Sequence, residues 1–100
     1  MILGKLARLI RSKNAGPFML TIDIIFENKE NYNKVIESKN FNVKKIGQLY
    51  RINESEITLI KCEEINAIKI SFKRLVSSGD LGDTDVFGGQ QHGPLVSIEI

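Results

Sequence analysis

Apolar positions along the chain recur with two periods, and the switch between them predicts the elements. Leu3, Leu6, Leu9 and Ile10, with Ala7 between, follow helical spacing, while Lys5, Arg8 and Arg11 fall on the other side. The spacing predicts an amphipathic helix over 2–12. Asn14, Gly16 and Pro17 then end it, because Asn or Gly takes a left-handed cap and Pro cannot continue a helix. From Phe18 to Phe26 the period is two. Phe18, Leu20, Ile22, Ile24 and Phe26 share one face, and Met19, Thr21, Asp23 and Ile25 the other, as in a central strand.

A helix is predicted over 28–39 with Tyr32, Val35 and Ile36 inward, and a second from the N-cap Asn42 through Tyr50. Strands are predicted over 57–63 and 67–73. In the latter, Ile68, Ile70 and Phe72 alternate with Lys69, Ser71 and Lys73, so one face meets solvent. Residues 95–100 alternate again and predict a last strand. The sum is a single α+β domain over 1–100. It has a four-stranded, mostly antiparallel sheet with helices on one face, in the order α-β-α-α-β-β-loop-β. That is a ferredoxin-like variant in which a long Gly-rich loop replaces the second crossover helix, with the first helix filling the vacant place.

The loop, residues 77–94, holds five of the eight glycines, the only histidine and three aspartates, and no Lys or Arg. Glycine at this density suits neither helix nor strand. Leu81, Val86 and Phe87 give it apolar anchors, so an ordered, functional loop is expected.

Composition narrows the classes. Apolar residues at 42% and charged residues at 26% describe an ordinary globular balance, and a net charge of +2 argues against a general nucleic-acid binder. One cysteine, Cys62, leaves no intramolecular disulfide and fits a reducing compartment. No apolar run reaches membrane-span length and the first residues are not a secretory signal, so a cytoplasmic protein without a membrane partner is expected. Charge is uneven. Residues 1–16 carry Lys5, Arg8, Arg11 and Lys13 without an acid, and residues 76–100 carry four acids without Lys or Arg.

Candidate chemistry gathers in three places. Arg11, Ser12, Lys13 and Asn14 offer two cations, a hydroxyl and an amide suited to a carboxylate or phosphate, although a helix C-terminus accounts for the same residues. Gly79, Asp80, Gly82 and Asp83 lack the spacing of an EF-hand, a zinc set or a P-loop, so turn formation is preferred to a metal. Gln90, Gln91 and His92, among glycines, form either a proton-transfer and hydrogen-bonding site or an exposed loop. Asp23, inside the strongest strand, needs a partner if buried: a functional role places it beneath the Arg11 and Lys13 loop or beside His92, and otherwise its face is simply exposed. Cys62 reads as a small core residue. These residues give a polar site and no reaction.

Two longer motifs add a resemblance. Arg11-Ser-Lys-Asn-Ala-Gly-Pro-Phe leads into Thr21-Ile-Asp-Ile-Ile-Phe, and Ser78-Gly-Asp-Leu-Gly-Asp-Thr-Asp-Val-Phe-Gly-Gly-Gln-Gln-His-Gly-Pro-Leu follows late in the chain. Together they resemble a small bacterial family of unknown function whose members accompany acyclic-terpene-utilisation (AtuA-like) proteins. A weaker similarity is to the ferredoxin-like C-terminal domain of AtuA-like proteins, whose Arg-Ser-Gly-Asp-Lys-Gly-Asp signature follows a short first helix. Here Asn14 and Ala15 stand in that region, and Ser78 to Asp83 carry the similar run.

The resemblance implies an accessory subunit of an enzyme of organic-acid or acyl-CoA metabolism, with a hydratase or lyase as the expected class. A large AtuA-like subunit would be its partner and a small carboxylate or acyl-CoA its ligand. Arg11 and Lys13 would hold the anion, with Ser12, Asn14, Asp23, Gly79, Gly82, Gln90 and Gln91 beside it. Asp80, Asp83 and His92 would position or protonate substrate. No cofactor is named. The alternative is a non-catalytic binding or assembly module acting as a homo-oligomer. A free-standing enzyme built on His92 ranks third, since so short a chain encloses little.

Overall fold

The computed structural model describes residues 1–14, 19–73 and 93–100. Within them lie α1 (Leu3–Leu6), β1 (Leu9–Asn14), β2 (Met19–Ile25), α2 (Lys29–Ile36), α3 (Val43–Tyr50), β3 (Thr58–Cys62), β4 (Ala67–Lys73) and α4 (Gly93–Val96). The strands form one antiparallel sheet in the order β1-β2-β4-β3. The helical pair crosses from β2 to β3, and β4 returns between them, which is the split β-α-β unit of ferredoxin-like sheets. Of the expected loop over 77–94, residues 77–92, with Gly79, Asp80, Gly82, Asp83, Gln90, Gln91 and His92, lie outside the described residues, and its last two residues belong to α4.

The central pair is β2 with β4. Its register sets Leu20 opposite Phe72, Ile22 opposite Ile70 and Ile24 opposite Ile68. All six are buried, and they form one cluster with Tyr32 and Val35 of α2, Ile46 of α3, Leu3 and Leu6 of α1, and Leu95 of α4. The helices therefore cover one face of the sheet. The expected α+β architecture, with helices on one face, is what the chain adopts.

Two segments differ from expectation. The helix expected over 2–12 is a single turn at Leu3–Leu6, followed by strand β1. Ala7 is already extended, and the Arg8 amide donates to the Ile25 carbonyl at 2.8 Å. From there Leu9–Asn14 pair residue by residue with Ile25–Leu20. Strand pairing outweighs the helical spacing because Leu9 and Ile10 serve opposite faces of an edge strand. The strand expected over 95–100 is the short α4 and then one isolated bridge, Ile2 with Glu99. The Leu3 amide donates to the Ile98 carbonyl at 2.8 Å, and the Ile100 amide to the Met1 carbonyl at 3.0 Å. The fourth place in the sheet belongs to β1, while α1 and α4 pack together where a second crossover helix would lie.

The helical pair follows its caps. The Asn28 Oδ1 accepts the Asn31 amide and the Asn42 Oδ1 accepts the Lys45 amide, each at 2.9 Å. α3 ends where Arg51 turns left-handed at φ 59° and its amide donates to the Gly47 carbonyl. The chain then folds back so tightly that a Cβ on Gly47 would sit 2.6 Å from the Ile52 carbonyl oxygen.

Gly47→Ala is therefore expected to destabilise the domain, even though alanine gains about 1 kcal/mol of helix propensity over glycine. A rise in the urea midpoint would contradict this close approach. Ile70→Ala, at the fully buried centre of the sheet, is expected to lower unfolding free energy by about 2–5 kcal/mol in the same assay.

Candidate functional site

Alternation along the strands puts a second set of side chains on the face opposite the helices. Three cross-strand rows follow from the register: Leu9–Ile25–Ala67–Cys62, then Arg11–Asp23–Lys69–Ile60, then Lys13–Thr21–Ser71–Thr58. Met19 opposite Lys73 extends the series. No described helix packs here. The face grades along the strands from an apolar row, in which Leu9 is exposed, to basic and hydroxylated rows; Ile60, at the β3 end of the middle row, is exposed as well.

The geometry of the middle rows is specific. Arg11 Nε lies 3.5 Å from Asp23 Oδ2 across the β1–β2 pair. Asp23 is mostly covered and Arg11 mostly exposed, so the carboxylate holds the guanidinium at the sheet surface. On its other flank Asp23 stands opposite Lys69. In the next row Thr21 Oγ1 and Ser71 Oγ are 3.3 Å apart, and Thr21 is buried. Lys13 flanks this hydroxyl pair in its own row, and Lys69 and Lys73 stand on β4 on either side of Ser71. Lys13, Lys69 and Lys73 make no ion pair among the described residues. Three ammonium groups around two hydroxyls can bind a carboxylate or a phosphate, the hydroxyls donating to oxygen and the ammoniums supplying charge.

Of the residues anticipated from sequence, Arg11, Lys13 and Asp23 come together on this face. Arg11 and Asp23 are neighbours across the β1–β2 pair, with Arg11 on a strand and not on a loop, and His92 lies outside the described residues. Ser12 and Asn14 do not join them. They alternate to the helix side, Ser12 buried opposite Ile22 and Asn14 opposite Leu20. The expected four-residue clamp is thus split by the sheet, because the segment is a strand and not a loop. Asp80, Asp83, His92, Gly79, Gly82, Gln90 and Gln91 fall outside the described residues.

Lys69, Ser71, Lys73 and Thr21 were not anticipated as site residues. The alternation in β4 was visible, but its polar half read as an ordinary solvated face. Only the register brings Ser71 to Thr21 and Lys69 to Asp23. Elsewhere, burial raises the pKa of the Tyr50 phenol, which packs against the Phe72 ring at 4.9 Å on the helix side. No group of three or more His, Cys, Asp or Glu side chains suited to a metal occurs among the described residues, and no helix among them is long and apolar enough to cross a membrane.

Comparison with known families matches residues 3–99 to a domain of unknown function, DUF4387. The chain belongs to that family. No curated protein and no solved structure gives a significant match.

The Arg11–Asp23 pair is half open to solvent, so Arg11→Ala is expected to cost less than about 1 kcal/mol of stability. Asp23→Ala leaves the four cations of this face without the carboxylate among them and is expected to cost more. Urea unfolding of both variants checks the ranking; an Arg11→Ala loss of several kcal/mol would make the pair a structural element instead of a surface one.

Proposed function

We propose that the chain is a small accessory subunit that presents the sheet face opposite its described helices to an anionic ligand, within a site completed by a larger protein. The observation that carries this reading is the cluster of Lys13, Lys69 and Lys73 around the Thr21–Ser71 hydroxyl pair, with Arg11 held alongside by Asp23. Among the described residues, four cations face one carboxylate there. A structural surface gains nothing from such an imbalance, since like charges on one sheet face repel. A carboxylate or phosphate offsets it.

A second protein would supply enclosure, since no described helix packs on this sheet face and binding sites bury most of a small molecule. The exposed Leu9, in the apolar row, and Ile60, at the β3 end of the charged row, suit contact with protein. Following the family resemblance, the larger partner is an AtuA-like subunit. The ligand is an organic acid or acyl-CoA, and the reaction a hydration or lyase step in the bacterial cytoplasm. Asp80, Asp83 and His92 remain the proposed groups that position or protonate substrate, with Gly79, Gly82, Gln90 and Gln91 beside them.

The alternative, a non-catalytic module self-associating through its sheet, is favoured by the same exposed Leu9 and Ile60. It has to bring two faces of net positive charge together, which costs free energy at low salt.

Affinity capture of the tagged chain from its native cytoplasm, with mass spectrometry, tests the subunit reading. A large partner in stoichiometric amount is expected, and Arg11→Ala is expected to abolish activity of the assembled complex without unfolding the chain. A clean chain with no partner, migrating as a homo-oligomer, would support the alternative. Full activity with Arg11→Ala would remove the anion-holding role.

A further inference from the structure

β3 ends the sheet among the described residues, with only β4 beside it. A terminal strand offers a row of backbone N–H and C=O groups with no strand to pair with. The side chains of β3 remain accessible: Thr58, Ile60 and Lys61 are exposed. On the helix side Leu59 stands opposite Ile70 and Lys61 opposite Ile68. There Leu59 and Lys61 border a groove of about 420 Å³, whose far wall is the connection from α2 to α3, with Ile36, Phe41 and Val43 as its apolar part.

The charge in this groove has one sign. Among the described residues Lys61 is its only charged lining residue, and it makes no ion pair with any of them. The first turn of α3, which borders the groove at Val43, carries Lys44 and Lys45 and no acid, although acids are the usual residues there. The period of β3 would place an apolar residue at 61 to match Leu59, so a lysine there departs from the pattern.

We propose that the free edge of β3 and this groove receive an extended segment of a partner protein, added as a further strand. Its signature is an apolar residue and an acidic residue two positions apart. The β3 backbone supplies the ladder hydrogen bonds, and groove-facing side chains two positions apart lie ~7 Å from each other along the segment. One therefore settles by Leu59, against Ile36, Phe41 and Val43, while the other meets the Lys61 ammonium. This surface is separate from the basic sheet face and does not depend on it.

An inward charge on an edge strand can also serve only to repel other strands. The two roles predict opposite results. The probes are a capped heptapeptide with a leucine and a glutamate two positions apart in a threonine background, and its twin with lysine for glutamate. Each is titrated into the full chain while backbone amide resonances and hydrogen exchange are followed. The glutamate peptide is expected to give saturable shifts at Leu59–Cys62 and Phe41–Val43 and to slow exchange of the outward β3 amides. The lysine twin is expected to bind at least about tenfold more weakly, from like-charge opposition. Lys61→Glu, at an exposed position, is expected to reverse the ranking. Absence of saturable shifts at β3 with several millimolar peptide, equal binding of both peptides, or an unchanged ranking in Lys61→Glu each overturns the proposal.

Discussion

The register between β2 and β4 is the constraint on which the structure depends. Leu20, Ile22 and Ile24 meet Phe72, Ile70 and Ile68 and give the helices one apolar floor. Side chains alternate with period two, so the same register also fixes what the other face carries. A slip of one residue would send Asp23 and Lys69 into the core and the isoleucines to solvent. Burial of the isoleucines thus determines, at no separate cost, that Thr21 meets Ser71 and that Asp23 stands between Arg11 and Lys69.

The two faces divide the labour. The helix side holds the apolar cluster, to which the one-turn helices α1 and α4 contribute Leu3, Leu6 and Leu95. The other side holds fixed charge on rigid strands. A site on strands is positioned more precisely than one on loops. No described helix packs on that side, and in the functional reading a second protein encloses the ligand.

Much of this was legible in the sequence. Asn28 and Asn42 mark the starts of α2 and α3, and Ala67–Lys73 alternates without interruption, so those elements appear where expected. Residues 2–12 misled because Leu3, Leu6, Leu9 and Ile10 satisfy helical spacing whether or not the helix continues past Ala7. The strand that follows is polar on both faces apart from Leu9 and Ile10, and an edge strand needs no apolar alternation to pair. Residues 95–100 misled for a related reason. Six residues alternating apolar and polar are compatible with a strand, yet one helical turn bearing Leu95 fills the core better. The site was half legible. Arg11, Lys13 and Asp23 drew notice as charges in unusual places, whereas the Thr21–Ser71 pair spans fifty positions and only the fold joins it.

The most direct measurement is a titration of the isolated chain with inorganic phosphate at low ionic strength, followed by backbone amide and lysine side-chain resonances. The account predicts saturable shifts at Lys13, Thr21, Lys69, Ser71 and Lys73, weakened by added salt, with the helix side unmoved. Shifts confined to the helix side, or none on this face, would contradict the assignment of the sheet face opposite the described helices as the anion-binding surface.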